Sequence, residues 1–130
     1  MVGTNDSSRD CGKDMENLVS EREYRRNIRG ILVNSKQSGA RVLVSTIPQF
    51  DEETFLKSGN IEAMKNDDKN IARYNKIVRK EAKRTGVELI DLESVLKQMP
   101  KTGLYEPDSV HLSPEGQSIL ADLWLNKATN

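Results

Sequence analysis

Arg41-Val42-Leu43-Val44-Ser45-Thr46-Ile47 is short, rich in β-branched residues and apolar on both faces, and Pro48 follows it. A strand with one face in water alternates apolar with polar residues, whereas a strand covered on both faces reads as a nearly continuous apolar run. Proline has no N–H to give to a sheet ladder, so Pro48 marks the strand's end. The stretch predicts a strand of a parallel sheet lying between two layers of helices.

The flanking sequence supports this. Upstream, Ser20-Glu21-Arg22-Glu23 has the form of a capping box, in which two side chains satisfy the first backbone N–H groups of a helix. Tyr24, Ile28, Ile31 and Leu32 then recur at helical spacing, and Gly39 offers a left-handed stop. Downstream, Gln49 to Asp68 is acidic and polar with scattered apolar residues, Phe50 and Phe55 among them, and predicts a long surface excursion of the kind that forms lids or walls. Asn70 to Thr85 returns to helical period, with Ile71, Tyr74, Ile77, Val78 and Ala82 on the buried side. Gly86 ends that helix, and Val87-Glu88-Leu89-Ile90 reads as a second strand stopping at Asp91. A brief helix through Val95 and Leu96 stops before Pro100, and a loop containing Gly103 leads to a last helix. Ser113 is its N-cap, Pro114 its first residue, and Ile119, Leu120, Leu123 and Trp124 its apolar face.

Strands alternating with helices imply right-handed crossovers and a parallel sheet, hence the α/β class and a three-layer α/β/α sandwich. Two strands are too few for such a sheet. The polar stretch Met1 to Lys13 reads as a loop, and Met1-Val2 as the last residues of a strand whose body would lie upstream. The expectation is one partial domain over residues 1–130, incomplete at its N-terminus.

Composition narrows the function classes. Of 130 residues, 35% are hydrophobic and 31% charged, and 20 Lys+Arg balance 20 Asp+Glu. With no basic excess to neutralise phosphates, no nucleic-acid partner is expected. The single cysteine, Cys11, allows no internal disulfide, so the fold does not depend on an oxidising compartment. No apolar run is long enough to span a bilayer, and no signal peptide follows Met1; localisation stays open, because an export signal would precede the residues in hand.

In open α/β sheets the site lies beyond the C-terminal ends of the strands. Asn5 would follow the upstream strand, and the loop with Asp108 and His111 follows the last one, so topology brings all three to one edge. There Asp108 would accept the Nδ1 proton of His111, fix its tautomer and stabilise the imidazolium formed when Nε2 takes a proton. Asn5 offers a neutral N–H of the type that stabilises a developing oxyanion, worth ~3–4 kcal/mol when preorganised. Each residue also has a plain structural explanation: a surface histidine beside an aspartate, and an Asn-Asp turn after a glycine. One histidine and no cysteine pair do not furnish a zinc site, and no spacing favours magnesium. No metal or cofactor is expected.

Gly3-Thr4-Asn5-Asp6 resembles the third sequence block of the SGNH (GDSL-type) hydrolases, and Asp108-Ser109-Val110-His111 resembles their fifth. The elements between are similar too: a strand ending in Ile47-Pro48, the Ala72-Arg73-Tyr74-Asn75 helix, and Gly86-Val87-Glu88-Leu89-Ile90-Asp91-Leu92. The resemblance implies a flavodoxin-like sandwich with a five-stranded parallel sheet and Ser-His-Asp hydrolysis of acyl esters, of small molecules, carbohydrates or lipids. By it, His111 is the general base, Asp108 its orienting partner and Asn5 the oxyanion-hole asparagine. Two blocks are absent: the Gly-Asp-Ser-Leu-like turn with the nucleophile, and the block with the oxyanion-hole glycine. Ser7, Ser8, Ser45 and Ser109 are no obvious substitutes. The expected protein is a serine ester hydrolase whose nucleophile is missing from this chain, leaving the chain inactive alone. The alternative is a non-catalytic binding or interaction module with the hydrolase frame. A third reading is a piece that self-associates through an open sheet edge.

Overall fold

The computed structural model describes residues 3–10, 16–51 and 68–129. Its elements are α1 (Thr4–Ser7), β1 (Arg9–Asp10), β2 (Glu16–Asn17), α2 (Glu21–Gln37), β3 (Leu43–Ser45), α3 (Asp68–Thr85), β4 (Glu88–Ile90), α4 (Leu92–Leu96) and α5 (Pro114–Thr129). Cys11, the upstream strand expected at Met1-Val2, and most of the excursion expected between Gln49 and Asp68 lie outside the described residues.

The capping box forms. The Ser20 hydroxyl accepts the Glu23 N–H at 3.3 Å and donates to Glu23 Oε2 at 2.8 Å, giving α2 a fixed start. Tyr24, Ile28 and Leu32 are buried, but Ile31 is 49% exposed and is no part of the core. At 100° per residue Ile31 lies ~60° from the centre of the buried arc, where α3 no longer covers it. Gly39 (φ 83°) and Gly86 (φ 63°) adopt the left-handed conformation after the two long helices, as expected.

β3 and β4 pair in parallel, Leu43 opposite Glu88, Val44 opposite Leu89 and Ser45 opposite Ile90. Both strands are shorter than their apolar runs. Beyond Ser45 the chain keeps one ladder bond, Thr46 N–H to Ile90 O at 3.1 Å. It then hands its backbone groups to α3: Asn75 Oδ1 accepts the Ile47 N–H at 2.7 Å, and Asn75 Nδ2 donates to the Ile47 carbonyl at 2.9 Å. Helices cover the sheet from both sides. Val42, Val44 and Leu89 join the main core with Tyr24, Ile28 and Leu32 of α2 and Ile71, Tyr74, Ile77 and Val78 of α3. On the other side α5 lies against β4, and Arg41 ties its end down by donating to the carbonyls of Lys127 and Ala128. Ile119, Leu120 and Leu123 of α5 pack on a second cluster of Leu92, Leu96, Leu104 and Leu112, while Trp124 stays half-buried.

Two expectations need correction. The N-terminal stretch is not all loop: residues 4–7 make a helical turn, and β1 pairs with β2 in a short antiparallel ladder. Neither has a hydrophobic period to read, because both are held from outside. Asn70 of α3 donates through Nδ2 to the Ser7 carbonyl and to Asn17 Oδ1, clamping α1 and β2 at once. Phe50, counted with the surface excursion, is buried in the main core.

Candidate active site

The loop between α4 and α5 is folded back on itself. Tyr105 and Leu112 form an isolated antiparallel bridge, the Glu106 N–H donates to the His111 carbonyl at 2.8 Å, and the Ser113 N–H donates to the Leu104 carbonyl at 3.0 Å. At its tip Ser109 is left-handed (φ 62°) and buried, the one non-glycine residue with positive φ among those described. A serine there carries backbone strain that the surrounding bonds must hold in place. Asp108 supplies two of them: its Oδ1 accepts the N–H groups of Val110 and His111, both at 2.9 Å.

The second oxygen of Asp108 binds the imidazole, with Oδ2 2.6 Å from His111 Nδ1. Partial burial pushes the Asp108 carboxyl up. The His111 side chain and the N–H groups of His111 and Val110 outweigh that and bring it to about 2. The carboxylate therefore stays ionised and acts only as an acceptor at neutral pH. With Nδ1–H committed to it, the neutral ring carries its lone pair on Nε2. The His111 side chain is 78% exposed, so that nitrogen is open to reactants.

His111 lines a cleft of about 570 Å³. Gly3, Thr4, Asn5 and Asp6 form one wall, Pro48 comes from beyond β3, Val110 and Leu112 flank the histidine, and Gln117 and Leu120 come from α5. The structure thus brings Asn5 and His111 to the same cleft and sets Asp108 behind the histidine. Gly3 is what admits this wall: its φ is 128°, and a Cβ there would collide with the Tyr24 hydroxyl and approach Ile47 Cδ1 to 2.6 Å. Asn5 itself is exposed, and its side chain makes no hydrogen bond among the described residues.

The serines near the site are otherwise engaged. Ser7 and Ser8 both donate to the Thr4 carbonyl, Ser45 is half-buried within β3, and Ser113 binds the Gly103 carbonyl while capping α5. Among the described residues no three His, Cys, Asp or Glu side chains gather as a metal site, and no helix is long and apolar enough to cross a membrane.

Sequence reasoning missed the residues that hold the site. Asn70 and Asn75 anchor α1 and the end of β3, and both are fully buried. A signal existed: both fall within the apolar arc of α3, where an asparagine needs internal partners. Gln117, whose amide donates to the Leu112 carbonyl at 2.9 Å, was also missed. It sits one turn into α5, beside the histidine loop, and only the fold reveals that proximity.

The sequence profile of the GDSL-like lipase/acylhydrolase family matches residues 1–119. No curated protein matches the chain. Among solved structures, a lipase/acylhydrolase from Enterococcus faecalis superposes with a TM-score of 0.74 at 18% identity, over 96% of this chain and 56% of its own. An α/β hydrolase enzyme from the metagenome of Lake Arreo, Spain, matches with a TM-score of 0.68 at 19% identity, over 96% and 56%. A mutant acetyl-xylooligosaccharide esterase from Geobacillus matches with a TM-score of 0.69 at 23% identity, over 96% and 55%. These likenesses establish the α/β fold; the chain spans little more than half the length of each.

Proposed function

The chain belongs to the GDSL-like lipase/acylhydrolase family, and from that premise we propose that its residues form one partial hydrolase domain carrying the acid–base and oxyanion half of an ester-hydrolysing centre. His111 is the general base, Asp108 orients it, and Asn5 donates to the oxyanion. The observation that carries this reading is the 2.6 Å bond from Asp108 to Nδ1 of a histidine on the wall of a cleft that Asn5 shares.

The chemistry follows from the geometry. A hydroxyl in the cleft attacks the acyl carbon of an ester while His111 Nε2 takes its proton, and the imidazolium is stabilised by the ionised Asp108. The carbonyl oxygen, now an oxyanion, receives the Asn5 side-chain N–H. Collapse expels the leaving alcohol, which recovers the proton from Nε2. Pro48, Val110, Leu112 and Leu120 supply apolar surface for the acyl group, and the substrate is a small-molecule, carbohydrate or lipid ester. The 130 residues contain no Gly-Asp-Ser-Leu-like block, and on this reading the attacking hydroxyl comes from outside them.

The test is acetyl transfer from p-nitrophenyl acetate with a small alcohol, trifluoroethanol, standing in for the nucleophile. The expected result is no stoichiometric burst without alcohol. With it, an alcohol-dependent rate should fall by ~10²-fold in His111→Ala, in the range of one general base. No alcohol-dependent rate above His111→Ala would remove the base from the proposal. A burst abolished by the same substitution would show that the chain holds its own nucleophile.

A further inference from the structure

Net neutrality conceals a separation of charge. α2 and α3 together carry twelve Lys or Arg against four Asp or Glu, although the whole chain balances at 20 and 20. Several of these cations converge. A groove of about 200 Å³ between the two helices is lined by Arg25, Arg73, Lys76 and Lys80, with Ile77 at its side and Glu21 as its only carboxylate.

Arg25 and Arg29 lie one turn apart on α2, and the difference between them is informative. Arg29 is satisfied internally: its Nε and one terminal nitrogen bind the two oxygens of Glu81 at 2.8 and 3.0 Å. Arg25 Nε is buried with no acceptor, the one such side-chain atom among the described residues. Arg73 reaches Asn70 Oδ1 at 2.7 Å and lies 3.9 Å from Glu21, so it is partly engaged. Lys76 and Lys80, at i and i+4, have no carboxylate partner among the described residues. Like charges at that spacing repel, and a buried donor without an acceptor is destabilising. An anion in the groove relieves the repulsion between the two lysines.

We infer that the α2–α3 groove is a binding subsite for a phosphate-type oxyanion. A lining of four cations and one carboxylate favours a group bearing more than one negative charge. The arginine forks and two exposed ammonium groups suit the several acceptor oxygens of a phosphate. The groove is large enough for that group and the first atoms of its substituent. The same chemistry is presented by free phosphate, a phosphorylated metabolite or a phospholipid headgroup.

The probe is inorganic phosphate, titrated into the 130-residue chain at low ionic strength while the Arg25 Nε–H resonance is followed by NMR. A saturable shift is expected, with none from sodium chloride at matched ionic strength. Arg25→Gln and the double change Lys76→Gln/Lys80→Gln should each weaken binding about tenfold or more, as loss of charge-assisted bonds does. Glu21→Gln should tighten it several-fold, an outcome that misfolding does not mimic, and circular dichroism melts check that each variant is folded. Lys83→Gln, on α3 outside the groove lining, is the control and should change little. Vesicles of phosphatidylglycerol and phosphatidylcholine separate the sources: binding to the former alone, lost in Arg25→Gln, assigns a lipid headgroup, and phosphate binding without vesicle binding assigns a soluble phosphate. Shifts that chloride reproduces, or a Lys83→Gln loss equal to that of Arg25→Gln, would overturn the assignment.

Discussion

Asp108 divides its oxygens between two tasks, Oδ1 holding the backbone of the turn and Oδ2 holding the imidazole. The same ionisation serves both, and the pH dependence follows. Because the folded carboxyl sits at about 2, below its ordinary value of 3.8, its contribution to stability is fully present above about pH 4. It is lost progressively as pH falls towards 2. We expect the His111 ring resonances and the melting temperature to show that acid transition, and Asp108→Asn to remove it; an unchanged acid limb in Asp108→Asn would mean that another carboxylate governs it. The pairing of Asp108 with His111 was readable from a spacing of three residues and a following helix start. The left-handed Ser109 was not, since a non-glycine residue adopts that conformation only where surrounding bonds impose it.

The long helices announced themselves through local chemistry: a capping box at Ser20, an apolar arc on α3 and a glycine after each. Such signals act within a turn or two of chain, which is why they can be read without the fold. Glu81 is different. It lies within α3, its side chain is 1% exposed, and its hydrogen-bonded partner Arg29 from α2, helped by the nearby charges of Arg84 and Arg25, outweighs burial and holds its carboxyl below the usual range. Removing the arginine leaves a buried carboxylate unpaired. Arg29→Ala is therefore expected to lower the urea midpoint, whereas Arg29→Met with Glu81→Leu should leave it nearly unchanged. Equal losses in the single and double variants would mean that packing, not charge, accounts for the effect. The brief elements α1, β1 and β2 lie at the opposite extreme, with no period of their own and a position set by Asn70.

At the scale of the molecule, the parallel ladder among the described residues holds three residue pairs between β3 and β4. A sheet this small is marginal, and an edge strand with free backbone groups is a template for another chain. Concentration-dependent association by size exclusion is the expected behaviour of the 130-residue chain; a monomer that melts cooperatively at every concentration would favour an independent module instead. By itself the sequence determined the α/β class, the order of elements from α2 to α5, and the Asp108–His111 pair with its helix cap, because each rests on hydrogen bonds or periodicities spanning only a few residues. The tertiary structure alone decided that Asn5 and His111, more than a hundred residues apart, share a cleft. It also decided that Asn70 and Asn75 hold the walls of that cleft, and that the cations of two helices meet in one groove. Convergence of this kind depends on how helices pack across a sheet, and no local pattern records which of their faces will meet.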